Sequence, residues 1–319
     1  MDSPGDPLHL VPWEKMEELS KKLLPHAPHS LHVYGAIRMA LRWRGTEASR
    51  RITIYSTNDR FEDGGIVAIY KVTNSNDIRI TFHCFKENVT SLKNALLTTG
   101  RIDWNSPETT IFFISIPEKL MPLTKDLVSY RNFKFLTSNH TNLIYEWKTI
   151  DQLDSCSSLC PQDVRLAPLS LESVDLIMNC WGVGGDLPGA DEYIATLITH
   201  NPNLGVYSRS TGELRAFVLF SEFSLLTILY TMEEHRRKGY AQLLCNAMCE
   251  KLLPLGFIVG ATIVKVNTAS LALFESLGFQ SSPNIFVNIL AAPLSMNEPL
   301  VGPIKPKNPR PFLSKISKK

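Results

Sequence analysis

Apolar and charged positions alternate with helical spacing at the start of the chain. Between Val11 and Leu24, Met16, Leu19, Leu23 and Leu24 share one side of a helical wheel, and Glu14, Lys15, Glu17, Glu18, Lys21 and Lys22 take the rest. That spacing predicts an amphipathic helix, ended by Pro25 and Pro28, since a proline ring cannot continue a helix. Apolar runs follow at His32–Trp43, Arg51–Tyr55, Gly65–Lys71 and Arg79–Phe85 and read as strands. A helical stretch over Ser91–Leu97 and a strand over Thr110–Ile114 complete this half. Strands alternating with helices indicate an α/β or α+β lobe.

After Lys148 the pattern loses order, and Ser155-Cys156-Ser157-Ser158 with Pro161 reads as a connector. Order returns with a strand at Val164–Leu166 and a helix over Leu171–Trp181, with Ser170 placed to cap it. Gly182-Val183-Gly184-Gly185 breaks that helix, and a second helix runs from Ala190 to Thr199, ended by Pro202. Its glycines follow a helix and not a strand, so they do not form a dinucleotide-binding fingerprint. Strands at Leu204–Ser208 and Leu214–Phe220 form a hairpin through Arg209–Glu213. Further strands are expected at Leu225–Thr231, Phe257–Val266 and Ile285–Leu290. The expected organisation is a structural lobe over 1–150, a connector over 151–163, a second lobe over 164–298 and a disordered basic tail over 299–319.

The chemistry concentrates in one stretch. The strand Leu225–Thr231 runs into a charged turn, Glu233-Glu234-His235-Arg236-Arg237-Lys238, closed by Gly239. A helix follows, with Ala241, Leu244, Ala247, Met248 and Leu252 at three- and four-residue spacings. The first-turn N–H groups of a helix have no intrahelical partner, and the positive end of the helix dipole lies there, so this turn is suited to an anion. Gly239 can adopt positive φ and lets a phosphate approach the backbone closely. Arg236, Arg237 and Lys238 add positive charge, and a pyrophosphate fits that arrangement.

Arg236-Arg237-Lys238-Gly239-Tyr240-Ala241 resembles the Arg/Gln-x-x-Gly-x-Gly/Ala loop of the GNAT acyltransferase superfamily, which holds the pyrophosphate of acyl-coenzyme A. Order and spacing agree across the surrounding stretch: a strand before the loop, a helix after it, then a strand. Last comes Asn267-Thr268-Ala269-Ser270-Leu271-Ala272-Leu273-Phe274-Glu275-Ser276-Leu277-Gly278-Phe279, similar to the superfamily's second cofactor-contacting helix. Short patches look like the glycine N-acyltransferase-like family: Leu24-Pro25, Ser30–Gly35, Ile102-Asp103-Trp104 and Asn179–Gly185. This resemblance implies two GNAT-like lobes, each a central mixed β-sheet flanked by helices, with only the C-terminal one keeping the cofactor loop.

The resemblance also implies roles. Acyl-CoA is a co-substrate, with no permanently bound cofactor. The backbone of Arg237, Lys238, Gly239 and Ala241 would face its phosphates, and Tyr240, Asn267, Leu271 and Phe274 belong to the same contact set. Its pantetheine would lie between Leu225–Thr231 and Phe257–Val266, with Leu229, Tyr230 and Thr231 along it. Either Tyr230 or Leu229 would offer an N–H to the thioester carbonyl. Glu234 is the expected general base for the amine, with Glu233 and His235 as alternatives because a one-residue shift turns a strand side chain to the other face. The family's usual tyrosine in the second helix is replaced here by Phe274. The expected acceptor is glycine or a similar small amino acid; a protein or polyamine amine, or CoA binding without turnover, stay open.

Composition narrows the class without changing that reading. Of 319 residues, 44% are apolar and 20% charged, which suits a buried core. A net charge of +2 gives no field strong enough to argue for nucleic acid or an acidic membrane surface. No apolar run reaches membrane-spanning length, and the first residues lack a secretory or presequence pattern, so an intracellular monomer is expected. The six cysteines include pairs at Cys156/Cys160 and Cys245/Cys249 but lack matching histidines, so no metal site is expected.

Overall fold

The computed structural model describes residues 5–58, 61, 64–72, 76–136, 140–147, 160–182 and 189–296. Residues 151–159 of the expected connector over 151–163, the glycines Gly184 and Gly185, and the tail over 299–319 lie outside them.

The N-terminal half begins with β1 (His9–Leu10) and α1 (Trp13–Leu23), whose Met16, Leu19 and Leu23 are buried as the wheel predicts. The run read as a strand at His32–Trp43 is a helix, α2 (Leu31–Trp43), and this is a correction. Ten of its residues are buried, from Leu31 through Trp43, because α1 and the sheet cover two sides and the 221–225 turn covers another. A helix buried nearly all round loses its polar stripe and reads like a core strand. Gly35 permits that third contact: a Cβ there would lie 1.9 Å from the Phe223 carbonyl oxygen.

The half continues with β2 (Ile52–Ser56), β3 (Gly65–Lys71), β4 (Ile78–Cys84), α3 (Thr90–Thr98), β5 (Ile111–Pro117), α4 (Met121–Tyr130), β6 (Phe133–Phe135) and β7 (His140–Trp147). The alternation of β3 sorts the core into two layers. Ile66, Ala68 and Tyr70 face α1, α2 and the C-terminal half, whereas Val67 and Ile69 face the cluster containing α3 and α4 residues.

The C-terminal half comprises β8 (Val164–Ala167), α5 (Val174–Cys180), α6 (Ala190–His200), β9 (Leu204–Ser208), β10 (Leu214–Phe220) and β11 (Leu226–Thr231). It ends with α7 (Tyr240–Leu252), β12 (Gly260–Val264), α8 (Thr268–Ser276) and β13 (Phe279–Pro293). The helix expected from Leu171 opens as a 3-10 turn, and Ser170 precedes it without a side-chain capping bond. The expected strand over Phe257–Val266 contracts to β12, and the one over Ile285–Leu290 extends to β13.

The fold class is mixed α/β, with two lobes that exchange strands. One sheet runs β1-β2-β3-β4-β5-β13-β7-β12, with β6 beside β13; the other runs β11-β10-β9-β8. Thus β13, from the end of the chain, pairs with β5 and β6 of the first half. In turn β7, from the first half, lies between β12 and β13. Each half supplies a strand that the other needs.

A buried polar network reinforces the exchange. Arg79 of β4 pairs with Glu222, which is fully buried, at 3.1 Å, and Tyr193 of α6 donates to the other Glu222 oxygen at 2.6 Å. The Arg79 guanidinium lies 3.6 Å from the Tyr193 ring centroid. Burial and the adjacent Glu222 carboxylate hold the Tyr193 phenol well above its ordinary value, so it stays a donor. Arg51 to Glu192 at 2.6 Å and Trp43 Nε1 to Asn201 Oδ1 at 2.8 Å add further ties between the halves. Removing one partner of a buried ion pair typically costs about 3–5 kcal/mol.

Two histidines make the packing acid-sensitive. His32 is buried against Phe223 and Phe286 and has no hydrogen-bond partner for either ring nitrogen among the described residues. Burial holds its imidazole down at about 3. His83 is also held at about 3, by burial first and then by the positive potentials of His26, Lys119 and His29. The unfolded chain takes up these protons near pH ~6.5, the folded chain only near 3. Stability therefore falls as pH drops from about 6.5 toward 3. Urea unfolding across pH 7.5 to 4.5 is expected to show this loss, and a His32→Leu/His83→Phe variant is expected to flatten its slope.

Candidate active site

β11 and β12 adjoin at one end and separate at the other. They meet through a single parallel bridge, Leu225 to Gly260, after which β11 belongs to one sheet and β12 to the other. The register of β11 on β10 slips between Phe217 and Leu219, and Ile228 takes φ +48°. A bulge of this kind bends its strand and strengthens the local twist, which carries β11 away from β12.

The separation leaves β11 as a sheet edge. The Met232 N–H donates to the Arg215 carbonyl of the β10 side at 2.9 Å. Because N–H directions alternate along a strand, the Tyr230 N–H also turns toward β10, and those of Leu229 and Thr231 turn to the open edge. By that alternation the N–H groups of Leu229 and Thr231, and not that of Tyr230, are presented to the cleft. The Tyr230 ring instead stacks on Phe217 at a centroid distance of 5.9 Å.

At the open end, a 3-10 turn over Glu233–His235 leads into the basic loop. Arg237 has φ +60° and Gly239 φ +76°, and Gly239 caps α7 in the left-handed conformation. Alternating left-handed residues turn successive N–H groups inward, which makes an anion-binding concavity. Among the described hydrogen bonds, the N–H groups of Arg237, Lys238, Gly239 and Ala241 reach no backbone acceptor outside the helix. A Cβ on Gly239 would meet nothing within 4 Å, so its outer side is open.

The side chains divide between two faces. Tyr240 is buried, and its hydroxyl accepts from Arg215 at 3.1 Å, so only its backbone belongs to the loop surface. The Lys238 ammonium lies 3.3 Å from His235 Nδ1. Arg236 folds back: its Nε donates to the Thr231 carbonyl at 3.2 Å and its Nη2 to the Tyr230 hydroxyl at 3.4 Å. Its guanidinium lies 5.5 Å from the Tyr230 ring centroid and 3.6 Å from Glu233. Arg237 and Lys238, both exposed, are thus the cations left to the loop.

Glu234 is exposed and lies in the 3-10 turn beyond β11, not on the strand as the sequence alone implies. Its carboxylate lies within 4.8 Å of ligand atoms of His235 and Glu213, an arrangement common on surfaces without an ion. Cys180, at the end of α5, feels both Glu234 and Arg236; burial pushes its thiol up to about 11, Arg236 pulls it down and Glu234 raises it. The thiol is therefore neutral at physiological pH. Sequence reasoning passed over Cys180, since a cysteine ending a helix carries no motif. The described cysteines Cys84, Cys160, Cys180, Cys245 and Cys249 are all free thiols.

The second helix contributes less than its sequence implies. The Asn267 side chain caps α8 by accepting from the Ser270 N–H at 3.1 Å. Phe274 is 3% exposed and packs edge-to-face on Phe279, with centroids 5.0 Å apart, so its ring belongs to the core. Leu271 is half-buried.

The N-terminal half repeats the divergence without the anion site. β4 and β5 pair in parallel only from Ile78/Ile111 to Ile80/Phe113. The helix that follows, α3, has its Thr90 N–H taken by Asn88 Oδ1 at 3.0 Å, and no glycine lies in the turn before it. Ser115, at φ +46° in β5, is satisfied by Asn288 of β13 at 2.6 Å. A surface cavity of about 530 Å³ in this half, lined by Arg50, Arg51, Lys71, Asp77 and Asp103 among others, includes none of the basic-loop residues.

Residues 203–287 match the FR47-like protein family, a GNAT-type domain. Residues 7–127 match a domain of unknown function, DUF5645. Among solved structures, a Drosophila protein from a structural-genomics programme is similar at 20% identity and TM-score 0.76, over 91% of this chain and 100% of that one. A putative acetyltransferase from Pyrococcus horikoshii is similar at 12% identity and TM-score 0.53, over 95% and 93%. A tandem GNAT protein from the clavulanic acid biosynthesis pathway is similar at 13% identity and TM-score 0.50, over 91% and 100%. The chain has the tandem GNAT fold. In that fold the basic loop, the bulged β11 and the cleft toward β12 fall in the C-terminal GNAT lobe, inside the FR47-like match.

Gly239→Val tests the loop directly. A branched residue at φ +76° is strained, and its side chain would fill the open side of the loop. Calorimetric titration with CoA is expected to show at least ~10-fold weaker binding, about 1.4 kcal/mol. A stability loss of only about 1–2 kcal/mol is expected beside it. Unchanged CoA affinity would remove the pyrophosphate assignment.

Proposed function

We propose that this chain is an acyl-CoA-dependent N-acyltransferase that passes an acyl group to the amine of glycine or a similar small amino acid. The observation that carries the reading is the pairing of an anion-ready loop, Arg237–Ala241, with an open strand edge at Leu229 and Thr231. The short patches resembling the glycine N-acyltransferase-like family support the acceptor class. Acyl-CoA is the co-substrate.

In this account the phosphates of CoA sit on the loop N–H groups, supported by Arg237 and Lys238. The pantetheine runs along the β11 edge toward the bulge. The Leu229 N–H donates to the thioester carbonyl, where negative charge grows as the amine attacks. Glu234 takes the proton that the acceptor ammonium must lose. The amine nitrogen forms its bond to the carbonyl carbon and sheds its second proton to solvent, the carbon–sulfur bond breaks, and the CoA thiolate leaves. With Phe274 packed in the core no acid stands at the usual place in α8, and a thiolate is a good enough leaving group to depart without one.

The substrates are tested by following thiol release from acyl-CoAs ranging from acetyl through benzoyl to long-chain, with and without a panel of amino acids. Release that depends on a particular amino acid is expected. CoA binding with no acceptor-dependent release would contradict the reading and point to a protein acceptor or to binding alone. Glu234→Gln is expected to slow turnover by about 10²–10⁴-fold and to leave CoA affinity nearly intact. Its rate is also expected to rise more steeply with pH, as free amine replaces the lost base; an unaltered pH–rate profile would remove Glu234 from the mechanism.

A further inference from the structure

Arg236 belongs to the loop motif, yet its side chain does not join the phosphate concavity. It turns back over β11, with Nε on the Thr231 carbonyl at 3.2 Å and Nη2 on the Tyr230 hydroxyl at 3.4 Å. The N–H and C=O of one strand residue point to the same side, so the Thr231 carbonyl faces the open edge. The guanidinium therefore stands at the mouth of the cleft, while Arg237 and Lys238 stay with the loop. Four features fit it for a small anionic partner.

It is half-exposed, with 52% side-chain accessibility, so a ligand can reach it. It is held in place by Thr231 and by the Tyr230 ring, 5.5 Å from its centroid, so little freedom remains to be lost on binding. Its only ion-pair partner among the described residues is Glu233, exposed and 3.6 Å away; such a surface pair is weak and readily replaced by a better-placed carboxylate. Guanidinium is also the side chain whose planar fork matches a carboxylate through two parallel hydrogen bonds. The Cys180 thiol feels the Arg236 charge and is itself uncharged, so it does not compete with a carboxylate for it.

We propose that Arg236 clamps the α-carboxylate of the acceptor. This rests on the amino-acid N-acyltransferase reading above and adds what that reading lacks, a group that recognises the acid end. In an α-amino acid the amine and the carboxylate share one carbon. A carboxylate held at Arg236 therefore brings the amine to the end of β11, beside Glu234 and the donor edge. Acceptors without that carboxylate lose the anchor and keep the reactive nitrogen.

The test compares glycine with glycinamide as acceptors, in the wild-type chain and in Arg236→Met and Arg236→Lys variants. The readout is the ratio of their kcat/KM values, with CoA affinity measured in parallel. The wild type is expected to favour glycine, and Arg236→Met to lower the ratio at least ~10-fold, chiefly by raising the KM for glycine. Arg236→Lys is expected to recover part of it, since charge returns without the bidentate fork. A ratio that Arg236→Met leaves unchanged would overturn the clamp and leave the transferase reading standing. No amino-acid-dependent thiol release in the wild type would overturn both. A matching loss of CoA affinity, with the ratio constant, would return Arg236 to the phosphate site.

Discussion

The structure of the site depends on the parting of β11 from β12 after one bridge. Backbone donors and acceptors inside a protein are nearly always paired, and leaving one unpaired away from water costs free energy comparable to a lost hydrogen bond. The open edge of β11, half-buried from Thr227 to Thr231, offers such groups to anything extended that lies along it. The bulge at Ile228, with its φ of +48°, is the local cause. It turns the strand, and it sets which N–H groups face the gap.

The parting is held open from outside the site. β12 is fixed by pairing with β7, a strand from the first half of the chain, and β11 is tied through β10 to the turn carrying Glu222. That turn touches α2 at Gly35 and reaches β4 through Arg79. The N-terminal lobe, whose own strand divergence carries no anion loop, thus supplies the strand that fixes β12 and the brace behind β11. Strand exchange makes the two lobes one structural unit, although only one of them carries the basic loop.

Much of this was legible in the sequence where local rules govern. The hairpin β9–β10, the strand β3 and the glycine at the start of α7 all follow from alternation, turn residues and capping. What was hidden is long-range. α2 keeps only a narrow polar strip at Arg38 and Arg42 because the rest of it is enclosed, and its apolar run reads as a strand. The pairing of β7 with β12 and β13 links residues far apart in sequence, and nothing in any of those segments names its neighbour. Within the site, the loop could be read from Arg236–Ala241, but not the direction of the Arg236 side chain. Likewise, which of Leu229 and Tyr230 turns its N–H to the open edge needed the register on β10, and the burial of Phe274 against Phe279 needed the packed core.

The central claim, that CoA lies on the β11 edge with its phosphates on the following loop, is tested most directly by amide hydrogen exchange with and without CoA. The account predicts slower exchange at Leu229 and Thr231 and through Arg237–Ala241, with little change at Tyr230, whose N–H is already bonded within the sheet. The turn from Phe85 to Thr90 in the other lobe should stay unchanged. Protection confined to that N-terminal turn, or absent from 229–241 at saturating CoA, would contradict it.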